Sequence, residues 1–134
     1  MMSAVVADTH TILWYLLASS EISSHAIATL DETVATGDAI YVPSISVVEI
    51  VYLVEKGKLP GVAFDRLISS LAYPDSSFVV VPLDLAIAWS VRRIPRETLP
   101  DMPDRIIAAT ALQLNLPLVT RDRKIAAAGI KTVW

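Results

Sequence analysis

Ala4-Val5-Val6-Ala7-Asp8-Thr9-His10-Thr11-Ile12-Leu13-Trp14 passes from a short apolar run, through an aspartate, into a helical pattern. The helix is expected over Thr9 to Ala18, with Ile12, Leu13, Leu16 and Leu17 on one face. A short strand without polar residues is one buried on both faces of a sheet. The same succession recurs along the chain. Ile40-Tyr41-Val42 stops at Pro43, and Ser44 is a candidate cap for a helix to about Lys56. Phe78-Val79-Val80-Val81 stops at Pro82, and Asp84 is placed to cap a helix to about Arg93. Leu118-Val119-Thr120 leads to a short helix from Asp122 to Ala128, closed by Gly129. Between these units, helices are expected from Ser23 or Ser24 to Thr36, from the 57–61 break to Ala72, and from Asp104 to Leu114. Lys131 to Trp134 offers a last short strand. Apolar strands alternating with helices predict an α/β fold, a three-layer α/β/α sandwich around a short central parallel sheet. With 134 residues and no linker or repeat, one domain over 1–134 is expected.

Composition narrows the chemistry. Cys 0 excludes disulfides, thiolate metal sites and a cysteine nucleophile, and His10 and His25 are too few for a histidine-rich metal centre. Hydrophobic residues make up 54% of the chain, far from a disordered composition. The longest apolar run, Ile12 to Ala18, is seven residues and falls short of a membrane span. Met1-Met2-Ser3 has no basic segment, so no signal peptide is expected and the cytoplasm is the expected compartment; the start could be either methionine. Charge is uneven: residues 1–83 carry −6 and residues 84–134 carry +3. A basic surface there could meet nucleic acid, although charge alone favours a solvated face.

The acids carry the functional signal. Asp8 follows the first strand, Asp122 follows a later one, and Asp104 opens a helix. Parallel strands would bring Asp8 and Asp122 to one sheet edge, where sites of such folds gather. Each aspartate also suits a helix cap. Glu49 lies among Ile45, Tyr52 and Leu53 at helical spacing, a carboxylate with apolar neighbours that needs a cation or a proton unless it reaches water or Lys56. Carboxylates gathered at one edge repel each other, and a hard divalent cation such as Mg²⁺ relieves that repulsion. Phosphodiester hydrolysis suits such a centre. There is no G-x-S-x-G elbow and no glycine-rich phosphate loop, with only four Gly in the chain.

Four blocks in order resemble PIN-domain ribonucleases, specifically VapC-type toxins of bacterial toxin–antitoxin pairs. They are Val6 to Trp14, Tyr41 to Ile50 with Lys56-Gly57-Lys58-Leu59, Asp101 to Ala111, and Leu116 to Asp122. The resemblance implies a Mg²⁺ or Mn²⁺ site with Asp8 and Asp104 as principal ligands. It implies that Glu49 and Asp122 complete the acidic pocket, with Thr9 or Thr120 as hydrogen-bond partners of the ligands. It further implies a homodimer, and a cognate antitoxin that wraps an apolar groove and blocks the site. One departure is visible: Leu99-Pro100 and Pro103 stand where related chains often carry a histidine and an aromatic residue.

The activity expected on these grounds is metal-dependent endonucleolytic hydrolysis of single-stranded RNA. Asp104 or Glu49 would orient the attacking water, and Arg105, Arg121, Arg123 and Lys124 could hold the flanking RNA backbone. Asp101 is a second candidate acid, read first as a solvated residue of a proline-rich turn; His10 and His25 read as peripheral, and Trp14, Tyr15 and Trp89 as core or interface residues that could also stack bases. Two other readings stay open. One is a catalytically inactive PIN-like domain that binds protein or RNA. The other is a receiver-type domain with Asp8 as phospho-acceptor, although Asp8 stands without a second acid beside it.

Overall fold

The computed structural model describes residues 4–134; Met1, Met2 and Ser3, and with them the choice of start, lie outside the described residues. Along the chain run β1 (Val5–Ala7), α1 (Thr9–Leu16), α2 (Ser24–Ala35), β2 (Ile40–Pro43), α3 (Ser44–Glu55), α4 (Gly61–Ala72), β3 (Phe78–Val81), α5 (Leu85–Ser90), α6 (Met102–Leu114), β4 (Leu118–Val119), α7 (Arg123–Ala127) and β5 (Thr132–Val133). A 3₁₀ turn, Val91–Arg93, extends α5. The described strands form one sheet in the order β3-β2-β1-β4-β5, and every pairing is parallel. The expected α/β three-layer sandwich is therefore the fold.

Period-two alternation divides the core between the two sheet faces. Val5 and Ala7 of β1 face one layer with Leu30 of α2, Ile50 of α3 and Leu67 of α4. Val6 faces the other with Ile87 of α5, Ile107 of α6 and Ile125 of α7. Ile107 is 1% exposed. Ile107→Ala should therefore destabilise the domain by ~2–5 kcal/mol, read as a lower urea midpoint at unchanged slope.

Three boundaries differ from the sequence reading. α1 ends at Leu16, short of Ala18, because Ala18 takes φ +51° and the Ser19 N–H turns back to Trp14 O at 2.9 Å. The uninterrupted apolar letters concealed that turn. Ser44 does not cap α3; its Oγ accepts from the Leu83 N–H at 3.1 Å, tying α3 to the segment after β3. Asp104 does not open α6. Asp101 is the cap, accepting from the Asp104 N–H at 3.0 Å, which leaves the Asp104 carboxylate free of that task. No described helix is long and apolar enough to cross a membrane.

Candidate active site

The site grows from the carboxyl ends of the two central strands. Asp8 follows β1 and caps α1, with Oδ1 accepting from the Thr11 N–H at 3.0 Å. Its other oxygen accepts a short hydrogen bond from the Thr120 hydroxyl, just beyond β4. Thr120 Oγ1 in turn accepts from the Asp122 N–H at 3.0 Å, and Asp122 caps α7. One buried threonine thus fixes the positions of two acids from separate loops.

Asp104 enters from the first turn of α6. Asp8, Asp104 and Asp122 line one pocket of about 400 Å³ with His10, Trp14 and Arg121. Glu49, on α3, does not line that pocket; it lines a neighbouring one that shares His10. It remains within electrostatic reach of Asp8, Asp101 and Asp104. Burial, and then Asp101, Asp122 and Glu49, raise Asp104 to about 7. Glu49 is also raised, by burial first and by Asp101 and Asp8, while the Thr9 hydrogen bond and His10 oppose the shift. Two half-buried acids held up by their acidic neighbours mark a local excess of negative charge.

Thr9 serves Glu49, not Asp8. Its Oγ1 lies 2.6 Å from Glu49 Oε1 and 2.9 Å from Ser46 Oγ. A hydroxyl has one proton. The ionised carboxylate takes it, so Ser46 is the donor to Thr9. Both residues are buried, and the pair pins Glu49 from beneath. Thr9→Val keeps the shape but removes the donor. Loss of that donor should raise the Glu49 carboxyl further, with Thr9→Ser close to wild type, as NMR titration of the Glu49 carboxyl will read.

Arg105 is spent elsewhere. Its Nη2 donates to Val91 O at 3.0 Å and to Ile94 O at 2.8 Å, so the side chain ties α6 to the 3₁₀ turn. Arg121 pairs with Glu21 at 3.2 Å and lies 4.6 Å over the Trp14 ring, at the rim of the acidic pocket. Arg123 and Lys124 are exposed beside Asp122. Asp101, His10 and Trp14 also stand at the site, although Trp14 packs against the core as expected. Asp101 acts on both raised acids, and His10 and Trp14 form a pocket wall with ring centroids 5.4 Å apart. Asp101-Met102-Pro103-Asp104, a cap three residues ahead of an acid with proline in the first turn, was the available signal for Asp101.

Among the described residues no three acids or histidines stand around one common point. The donor set nonetheless fits a hard divalent cation. It is carboxylate oxygen throughout, it comes from several elements, and it carries an excess of negative charge that a cation would relieve.

The sequence profile of the PIN domain matches residues 5–131. Among solved structures, the chain is similar to VapBC2 from Rickettsia felis bound to a DNA fragment from its promoter, at 17% identity over 96% of each chain with a TM-score of 0.72. It is similar to FitAcB from Neisseria gonorrhoeae, at 24% identity over 96% of this chain and 95% of that one, TM-score 0.64. It is similar to a toxin–antitoxin complex from Klebsiella pneumoniae, at 22% identity over 92% and 90% of the two chains, TM-score 0.61. No curated protein matches the sequence. At these identities the solved structures speak for the fold, whereas the profile spans nearly the whole chain: it belongs to the PIN domain family.

Proposed function

We propose that the chain is an endoribonuclease that hydrolyses single-stranded RNA with Mg²⁺ or Mn²⁺, and that it is the toxin of a toxin–antitoxin pair. The observation that carries this reading is the convergence of Asp8, Asp104 and Asp122 on one pocket, with Glu49 close enough to share their charge. Asp8, Asp104 and Asp122 would hold the cation, with Glu49 contributing directly or through water. The cation would supply water activation and neutralisation of charge on the phosphate. Thr120 and Ser46–Thr9 hold Asp8 and Glu49 in place. Asp104 or Glu49 would orient the attacking water; in the metal-free chain burial and acidic neighbours raise Asp104 to about 7, a penalty that a bound cation would relieve. Arg121, which lines the pocket, and the exposed Arg123 and Lys124 beside Asp122 would hold the RNA backbone.

The toxin reading rests on the fold shared with toxin–antitoxin complexes. It brings with it an antitoxin partner, a homodimer and a cytoplasmic setting. Expression of the wild-type chain in a bacterial host should halt growth and accumulate cut RNA, while Asp8→Asn at equal level should do neither. Unimpaired growth with intact RNA at high wild-type levels would overturn it and favour an inactive binding domain.

A further inference from the structure

Beside the acid-lined pocket lies a second one of about 390 Å³, between α3 and the start of α6. Glu49 and His10 stand on its wall, and His10 also lines the acidic pocket, so the two adjoin. From Glu49, Tyr52, Leu53 and Lys56 follow at three, four and seven positions along α3 and line the same pocket. Met102 and Pro103 face them from the first turn of α6. Tyr52 is 57% exposed and Met102 65%, so neither is retained there by the core. Lys56 Nζ sits over one face of the Tyr52 ring, 5.9 Å from its centroid, and is a cation that a strand's phosphate could meet.

We propose that this pocket receives one unpaired base of the RNA strand, next to the phosphate at the acidic centre, with the base stacked on Tyr52 and flanked by Met102. This deepens the nuclease reading and rests on it for the identity of the strand. Two other partly exposed rings carry a cation more closely. Trp14 carries the Arg121 guanidinium at 4.6 Å and meets Trp134 edge-on, and Trp89 carries Arg92 at 4.6 Å. The pocket's size suits a small flat ligand. A base must leave its duplex partner to enter a side pocket, which restricts the substrate to single strands, loops or ends. Tyr52 and Met102 then become determinants of which base is accepted, separate from the acids that act on the phosphate.

Two measurements test it. The first is cleavage of a randomised single-stranded RNA pool by wild type, Tyr52→Phe, Tyr52→Ala and Met102→Ala, with sequencing of the product ends. Wild type should favour one base at a fixed position beside the cut. Tyr52→Phe should keep that preference, and Tyr52→Ala should lose it. On the favoured RNA, KM for Tyr52→Ala should rise roughly 5- to 100-fold with kcat nearly unchanged. The second is perturbation of backbone amide NMR signals by each of the four ribonucleoside 5′-monophosphates. Shifts clustered at Tyr52, Lys56 and Met102, lost in Tyr52→Ala, support the pocket even if the wild-type chain cuts nothing, in which case only the nuclease reading falls. Active wild type with product ends and KM unchanged in both alanine variants overturns the base pocket, and assigns its apolar wall to a protein partner instead.

Discussion

Asp104→Asn should cut the proposed RNA cleavage at least about a hundredfold and at the same time make the metal-free protein more stable at pH 8. The two effects share one cause. Asp104 is half-buried among Asp101, Asp122 and Glu49, and its carboxyl is raised to about 7. In the unfolded chain it would titrate at the ordinary carboxylate pKa of ~3.9. Between these values the folded state binds more protons than the unfolded state. Stability attributable to this group is therefore lost as pH rises from about 4 to about 7. Asparagine removes the charge and keeps the shape. After allowance for solvent screening of a half-exposed group, a gain of roughly 3–5 °C in Tm at pH 8 is expected, the shift that ~1 kcal/mol produces in a domain of this size. Below pH 4 the difference should vanish. Cleavage should fall at least about a hundredfold, the scale set by losing one element of charge stabilisation in a transition state. Thermal melts across pH, together with one RNA assay, check both halves. Loss of stability in the variant at pH 8 would mean that Asp104 is a structural acid.

Mg²⁺ or Mn²⁺ should stabilise the wild-type chain at pH 8 and do so much less at pH 5.5. A ligand that binds only the folded state adds RT ln(1 + [L]/Kd), which is ~2.7 kcal/mol at a hundredfold excess over Kd. At pH 5.5 Asp104 holds its proton, and a cation must displace it. The stabilisation should therefore grow with pH through about 7, opposite in sign to the trend of the metal-free protein. Asp8→Asn retains an acceptor for the Thr11 N–H, and asparagine caps helices as well as aspartate. Its fold should survive, and its response to metal should not. Melting curves with and without metal at the two pH values read this directly.

The parallel sheet was legible because its strands are short, apolar and each ended by Asp, Pro or a polar residue. Asp8 and Asp122 were legible as candidate site residues for the same reason, since Asp8 follows β1 at once and Asp122 lies three residues beyond β4. What sequence could not reveal is set by packing between distant elements. Thr9 meets Ser46 and Glu49 some 40 residues away because α1 packs on α3, and no local pattern encodes that crossing. Arg105 looked like a surface base beside an acid, yet its guanidinium is drawn inward by two carbonyls of the segment after α5. Asp101 was read as a turn residue. That role and its electrostatic role coincide, because the cap of α6 must stand within one turn of Asp104. Tyr52 and Met102 are 50 positions apart and share a pocket only once α6 begins beside α3.

The central claim is that the acids around Asp8 form a cation-dependent RNA-cutting centre. The most direct test is cleavage of end-labelled single-stranded RNA by the purified chain with Mg²⁺, with Mn²⁺ and with EDTA. Single-stranded DNA of the same sequence serves as comparison, and identically prepared Asp8→Asn as the control. The account predicts cutting of RNA that requires either metal, stops in EDTA and is absent in Asp8→Asn. Cutting that persists in EDTA, or that is equal in wild type and Asp8→Asn, would contradict it.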